Sequence, residues 1–261
     1  MAGKEELAVS FDGAVGEYEH GRPGYPEEMV DWVLRQLPDR TAGPDAAERL
    51  PDGAEPLPDV VDVGAGTGKL TSSLAARPLN LSAVEPLPQM RARLAGKLPT
   101  IPVYAGSAEN LPLADASVDL ATYAQVWHWV DAIAASAEAA RVLRAGGRIA
   151  LIWNLRDISV GWVRALFDVM GASASEEYDS VHPELALPLR RIEFAEFSWE
   201  RRLRRDELHA LISSRSYVIT MSAEERAVLG DRVDELLDTH PDLRGRDTYV
   251  LPYITRVTIA G

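Results

Sequence analysis

The chain has 261 residues, with 40 acidic and 27 basic side chains and a formal net charge of −13. That length suits one large α/β domain or two small ones, and 46% hydrophobic with 26% charged residues excludes a disordered or fibrous chain. The acidic balance disfavours nucleic acid and anionic membrane as partners, and the lack of cysteine excludes disulfides, thiolate metal sites and cysteine nucleophiles.

In chain order, the opening Met-Ala-Gly-Lys-Glu-Glu lacks the apolar core of a signal peptide, and no apolar run approaches the ~18 residues of a membrane span. A cytoplasmic location is expected. Residues 1–37 read as a helical lid. Pro26 suits a first helical position, and Met29, Val30, Val33, Leu34 and Leu37 make one apolar stripe. Residues 38–58, rich in Pro, Asp, Ala and Gly, form a linker. From residue 59 to residue 157 strands alternate with helices. Strands are predicted at Val60–Val63, Leu79–Val84, Pro102–Tyr104, Val118–Tyr123 and Arg148–Trp153. Helices are predicted at Lys69–Ala76, around Met90, Leu94 and Leu98, and at Asp131–Leu143, the last capped by Gly146. This pattern predicts a parallel sheet with helices on both faces. Residues 158–261 are expected to add cap helices and strands that complete the sheet. Trp162–Met170 reads as a helix and Ile192–Trp199 as a strand. Ser222 and Glu225 form a capping box before an apolar face of Val228, Leu229, Val233, Leu236 and Leu237. Tyr249–Ile259 is β-rich, with a break expected at Pro252.

The sharpest signal is Asp62-Val63-Gly64-Ala65-Gly66-Thr67-Gly68, placed between a strand and a helix. Glycine is needed where the backbone turns tightly or a ligand approaches the main chain. A dinucleotide fingerprint would need its third glycine at position 69, which is Lys69. Glu85 ends the next strand, 21 residues after Gly64, where a carboxylate can accept from both hydroxyls of a ribose.

These elements resemble the class I S-adenosylmethionine-dependent methyltransferases. Gly106-Ser107-Ala108-Glu109-Asn110-Leu111-Pro112 and Val142-Leu143-Arg144-Ala145-Gly146-Gly147 are similar to later motifs of that family. Phe11, Tyr18, Arg22-Pro23, Tyr25-Pro26 and Gln125 with Trp127-His128-Trp129 narrow the likeness to the small-molecule type-11 group, near the trans-aconitate methyltransferase-like branch. The resemblance implies a doubly wound, Rossmann-like, seven-stranded mixed sheet with a helical cap. It also implies S-adenosylmethionine as cofactor, contacted by Tyr18, Arg22, Asp62, Gly64, Ala65, Gly66, Thr67, Gly68, Glu85, Pro86, Met90, Ser107, Ala108, Glu109 and Gln125. Ser107 departs from the family's usual Asp, which contacts the adenine amino group.

The expected reaction is methyl transfer to a small organic acceptor, by analogy in specialised metabolism. Alternatives are a cofactor-binding protein that catalyses cyclisation, or a non-catalytic nucleoside-binding regulator. Methyl transfer is an in-line displacement, governed by alignment and water exclusion. No metal is expected, because only Asn154 and Asp157 follow the fifth strand. His128 is the candidate catalytic residue, as a base or as an orienting or purely structural group. Tyr25, Trp127 and Trp129 are the candidate acceptor contacts, with core packing the competing role for one of the tryptophans. Arg22 can bind a carboxylate of cofactor or acceptor, or form a rim ion pair. The cluster Arg201–Arg205 is expected to be a solvated strand-to-helix connection.

Overall fold

The computed structural model of the chain describes residues 21–37 and 56–261. Phe11, Tyr18 and most of the expected linker lie outside them. Five strands are parallel: β1 (Asp59–Val63), β2 (Asn80–Val84), β3 (Val103–Tyr104), β4 (Val118–Ala124) and β5 (Leu143–Arg156). With β6 (Arg191–Arg204) and β7 (Thr248–Ala260) they form a seven-stranded sheet in the order β3-β2-β1-β4-β5-β7-β6. β7 runs antiparallel to both its neighbours. This is the doubly wound, seven-stranded mixed sheet that the resemblance implied, built around the parallel strands that the alternation predicted. Its order reverses between β1 and β4, and ligands of open α/β sheets bind outside the strand ends at such a switch point.

Both faces of the central strands are buried, as parallel sheets require. Val61, Val63, Tyr123, Leu151 and Trp153 point to one face and pack on Ala135, Ala139 and Val142 of α4 (Ala132–Val142). Val60, Leu120, Ile152 and Ile259 point to the other. There they meet Met29, Val30 and Val33 of α1 (Glu27–Leu34) and Leu70 and Leu74 of α2 (Lys69–Leu74). An eight-residue helix such as α1 is too short to persist alone. Burying its three apolar side chains, at about 1.5–3 kcal/mol each, is what holds it. A third cluster joins α5 (Gly161–Met170), α7 (Arg205–Ser213) and α9 (Ala223–Thr239) to Tyr249, Leu251 and Tyr253 at the start of β7. The remaining helices among the described residues are α3 (Pro88–Lys97), α6 (Ala174–Glu177) and α8 (Ser216–Ile219). Among the described residues no helix is long and apolar enough to cross a membrane.

Several expectations are corrected. α4 stops at Val142 without Gly146 as its cap, because Leu143 already pairs with Val118 and opens β5. Gly146, at φ +79°, instead falls in the irregular stretch that resets the β4–β5 register. Pro252 does not break β7. Its carbonyl accepts from Asp157 N, and the β5 pairing ends at Arg156–Tyr253, so no ladder bond needs its missing N–H. Pro26 is the N-cap of α1, one position before the expected first turn. The capping box of Ser222 and Glu225 forms, but Val228 is exposed on α9 and only Leu229, Val233 and Leu237 are buried. Arg201–Arg204 finish β6 and Arg205 opens α7, so the basic cluster is regular structure where a connection was expected.

Candidate active site

The loop after β1 turns through three left-handed glycines: Gly64 (φ +65°), Gly66 (φ +57°) and Gly68 (φ +80°). A Cβ on Gly64 would overlap Val126 Cγ2, and one on Gly68 would overlap Leu94 Cδ1. Conformation therefore favours glycine at all three positions, and at Gly64 the close approach of Val126 does so as well. Gly64 and Ala65 donate their N–H groups to Val84 O at 2.8 and 3.2 Å, which anchors the loop to the end of β2. Glu85 follows. Its Oε2 accepts from Gly66 N (2.8 Å) and its Oε1 from Leu87 N (2.9 Å). Burial pushes this carboxyl above the usual carboxylate range, and the two N–H donors and nearby Arg91 pull in the opposite direction.

Behind the loop, Asp62 is buried and occupied. Thr71 Oγ1 donates to its Oδ2 at 2.6 Å and Thr122 Oγ1 to its Oδ1 at 2.8 Å. Desolvation raises its pKa to about 6. Asp62 thus ties β1 to α2 and β4 and supports the loop from behind.

In front of the loop is a cavity of about 870 Å³ including its open mouth. Of the expected cofactor contacts, Gly64, Gly66, Glu85, Pro86, Met90, Ser107, Ala108, Glu109 and Gln125 line it. Trp129 lines it too, with Leu87, Val126 and Val130 completing an apolar wall that sequence reasoning missed. Ala65 and Thr67 face a smaller neighbouring cleft with Tyr25, Asp62 and Lys69. The Thr67 hydroxyl is buried there, with no hydrogen-bond partner among the described residues. A glycine cradle with no room for a Cβ, a buried carboxylate held by two N–H groups and an adjoining apolar slot fit a nucleoside bearing an amino-acid tail.

Two further clefts adjoin the cavity at Gln125. One is lined by Arg22, Pro23, Tyr25, Lys69, Asn154, Arg215 and Tyr253, the other by Arg22, His128, Trp129, Ser173, Ser175 and Ser216. Gln125 borders all three spaces, and it is a non-glycine residue at φ +60°. Its N–H donates to Ile152 O at 2.8 Å and its Nε2 to Asn154 O at 2.9 Å. His128 is 4% exposed, with its ring 4.9 Å from that of Trp129. Trp127 takes the core position instead. It is 1% exposed, donates Nε1–H to Glu184 O at 2.7 Å and meets Tyr123 edge-on at 5.0 Å. Tyr18 lies outside the described residues.

Beside the second cleft is a charge cluster with no counterpart in the sequence reading. Glu176 Oε1 accepts Arg156 Nε at 2.9 Å and lies 3.7 Å from Arg215 Nη2, while its Oε2 accepts from Ser173 N and Oγ. All three charged side chains are buried, and the surrounding arginines and Ser173 donors hold Glu176 down to about 2. The Ser173…Glu176 spacing of a capping box was the only trace of this cluster in the sequence. Among the described residues no three His, Asp or Glu side chains gather as a metal centre would need.

Comparison with known proteins agrees with this geometry. The family model of a methyltransferase domain matches residues 61–151. An uncharacterized methyltransferase of Mycobacterium tuberculosis is 42% identical over 260 residues, 98% of each chain. An uncharacterized methyltransferase-like protein of Schizosaccharomyces pombe is 32% identical over 253 residues, covering 94% of this chain and 93% of its own. A solved structure assigned as a type II methyltransferase, from Anaeromyxobacter dehalogenans, superposes with a TM-score of 0.67. That match is 23% identical and covers 92% of this chain and 97% of the other, a likeness of fold.

Proposed function

This chain belongs to the class I S-adenosylmethionine-dependent methyltransferases, and we propose that it methylates a small, anion-bearing organic acceptor seated beside Gln125. In this reading Glu85 holds the ribose, Ser107, Ala108 and Glu109 meet the adenine, and the Gly64–Gly68 loop leaves room for the amino-acid tail. When bound, the cofactor supplies an electrophilic methyl group on a sulfonium. The protein's residues then align the acceptor and exclude water, a contribution worth up to roughly 7–11 kcal/mol in well-held reactants.

The observation that carries the acceptor class is a pair of buried tyrosine hydroxyls in a positive field. The hydroxyls of Tyr217 and Tyr253 are buried with no hydrogen-bond partner among the described residues. Burial raises the pKa of both, with Glu176 adding to this at Tyr217, while Arg22, Arg156 and Arg215 act on both in the direction that favours negative charge. Tyr253 lines the first inner cleft together with Arg22 and Arg215. A buried hydroxyl is costly until it finds a partner, and an anionic oxygen can accept its proton while meeting the field of the arginines. Ser173, Ser175 and Ser216 line the second cleft, where an acceptor finds further hydroxyls.

The test is incubation with methyl-labelled S-adenosylmethionine and matched pairs of acceptors, each acid beside its neutral ester or amide. The expected product is heavier by one CH₂ unit and carries the label, with the acids favoured. Equal use of the neutral partners overturns the acceptor class. An acceptor consumed without gain in mass points instead to a rearrangement such as cyclisation. Tight cofactor binding with no turnover across the panel points to a regulator.

A further inference from the structure

Among the hydrogen bonds that hold Gly21–Tyr25, the stretch that carries Arg22 and Tyr25 to the inner clefts, three reach other parts of the fold. Arg201 Nη1 donates to Gly21 O at 2.7 Å, Arg22 Nη2 to Ser214 O at 3.2 Å, and Asn154 Nδ2 to Gly24 O at 2.9 Å. The first two come from long, flexible cations. The third comes from a short amide, 7% exposed, on the sheet itself.

The orientation of that amide is dictated from one side. An indole nitrogen can only donate, so Thr255 Oγ1 must accept from Trp199 Nε1 at 2.8 Å. Thr255 then has its own proton for Asn154 Oδ1, 2.6 Å away. With its oxygen engaged, Asn154 must turn its NH₂ to Gly24 O. The relay from Trp199 through Thr255 and Asn154 to Gly24 has one consistent donor direction. Asn154 also acts through its main chain, where its carbonyl accepts Gln125 Nε2 at 2.9 Å. One residue therefore grips both the Arg22–Tyr25 segment and Gln125, which borders all three cavities.

We infer that Asn154 is a positioning residue for methyl transfer, which aligns the Arg22–Tyr25 segment with Gln125 around the reacting centre. Asn154 borders the first inner cleft, but in this role it acts through Gly24 and Gln125. The inference rests on the family's reaction and is independent of the acceptor class.

The experiment uses the full chain, with S-adenosylhomocysteine as the probe. Asn154→Asp preserves shape and the acceptor for Thr255, but sets a carboxylate oxygen against Gly24 O. Thr255→Val removes the hydroxyl that orients the amide, and Thr255→Ser restores it. In ligand-free protein, amide exchange at Arg22, Gly24 and Tyr25 should accelerate about tenfold in Asn154→Asp and Thr255→Val, the scale of one lost hydrogen bond. Their dissociation constants for S-adenosylhomocysteine should rise by a similar factor, with wild-type values in Thr255→Ser. Exchange that accelerates equally across β5 and β7 would mean a structural role alone and overturn the inference. So would unchanged exchange and affinity in folded Asn154→Asp. If Asn154→Asp does not fold, Thr255→Val decides by the same two readings.

Discussion

Gly66 donates its backbone N–H to Glu85 Oε2 across 2.8 Å, so the glycine loop and the acid that ends β2 form one unit before any ligand arrives. A carboxylate offers about four lone-pair sites, of which Gly66 N and Leu87 N take two. The others are available to a ribose diol in the cavity. Removing them in Glu85→Ala should weaken S-adenosylhomocysteine binding by roughly 1.5–3 kcal/mol, the range for hydrogen bonds to a charged group. Calorimetry at neutral pH reads this directly. Burial raises the Glu85 pKa, so the ionised acceptor disappears as pH falls. Wild-type affinity should therefore decline on acidification from a higher pH than an ordinary carboxylate implies, and the Ala variant should lack that decline.

Asp62 makes a prediction of the opposite kind, because it acts on folding. Its pKa rises from 3.8 to about 6 in the fold, through desolvation. A folded-state pKa above the unfolded value means that the fold binds a proton more tightly. That contribution is fully present below the unfolded pKa and is lost as pH rises from about 4 to about 6. In Asp62→Asn the side chain is neutral throughout and can still accept from one threonine and donate to the other. The stability of this variant relative to wild type should thus increase between pH 4 and pH 7, by on the order of 2–3 kcal/mol. Urea unfolding at the two pH values measures it, and a constant difference refutes it.

Glu176 has the reverse sign. Its carboxyl is held down to about 2 by Arg215, Arg156 and the Ser173 donors, against the desolvation that opposes them. Stability from this group is present above the unfolded value of 4.5 and drains away as pH falls toward 2. Glu176→Gln takes from Arg156 and Arg215 the carboxylate they share and should cost about 3–5 kcal/mol near neutrality. The gap between variant and wild type should close in acid. Denaturation at pH 7 and pH 3 checks both halves.

What could be read from the sequence follows the length scale of each feature. The glycine loop and Glu85 were legible because their geometry depends on local conformation at fixed spacing: Gly64, Gly66 and Gly68 all adopt the positive φ that such spacing suggests. The parallel core was legible because both faces of its strands are buried and their apolar runs are short and regular. Trp127 and Trp129 were indistinguishable, since two residues apart says nothing about which ring meets the core. The Arg156–Glu176–Arg215 cluster was hidden, because its members come from β5, α6 and the turn before α8 and meet only after the cap folds over the sheet. Asn154 entered the sequence reading only as one of the two residues after the fifth strand that argued against a metal site. Its link to Gly24, 130 residues away, is purely tertiary.

His128 lines the inner cleft with Arg22, Ser173 and Ser175, and is absent from the walls of the large cavity. His128 reaches that cavity only through the ring of Trp129, so cofactor binding should survive its removal, with S-adenosylhomocysteine affinity in His128→Ala close to wild type. Its ring is packed at 4.9 Å from Trp129 and 6.3 Å from Tyr178, which fixes its plane relative to the inner cleft. An acceptor that enters already ionised needs no base, so the expected role of His128 is orientation. His128→Ala should then raise the acceptor's KM about tenfold or more and lower kcat by less than tenfold. A base acting in the transition state would give a different pattern, a fall of about 10²–10⁴ in kcat. Steady-state kinetics with a matched acid acceptor separates the two. A collapse of kcat with KM unchanged would assign proton abstraction to His128, and unchanged kinetics would remove it from the acceptor site.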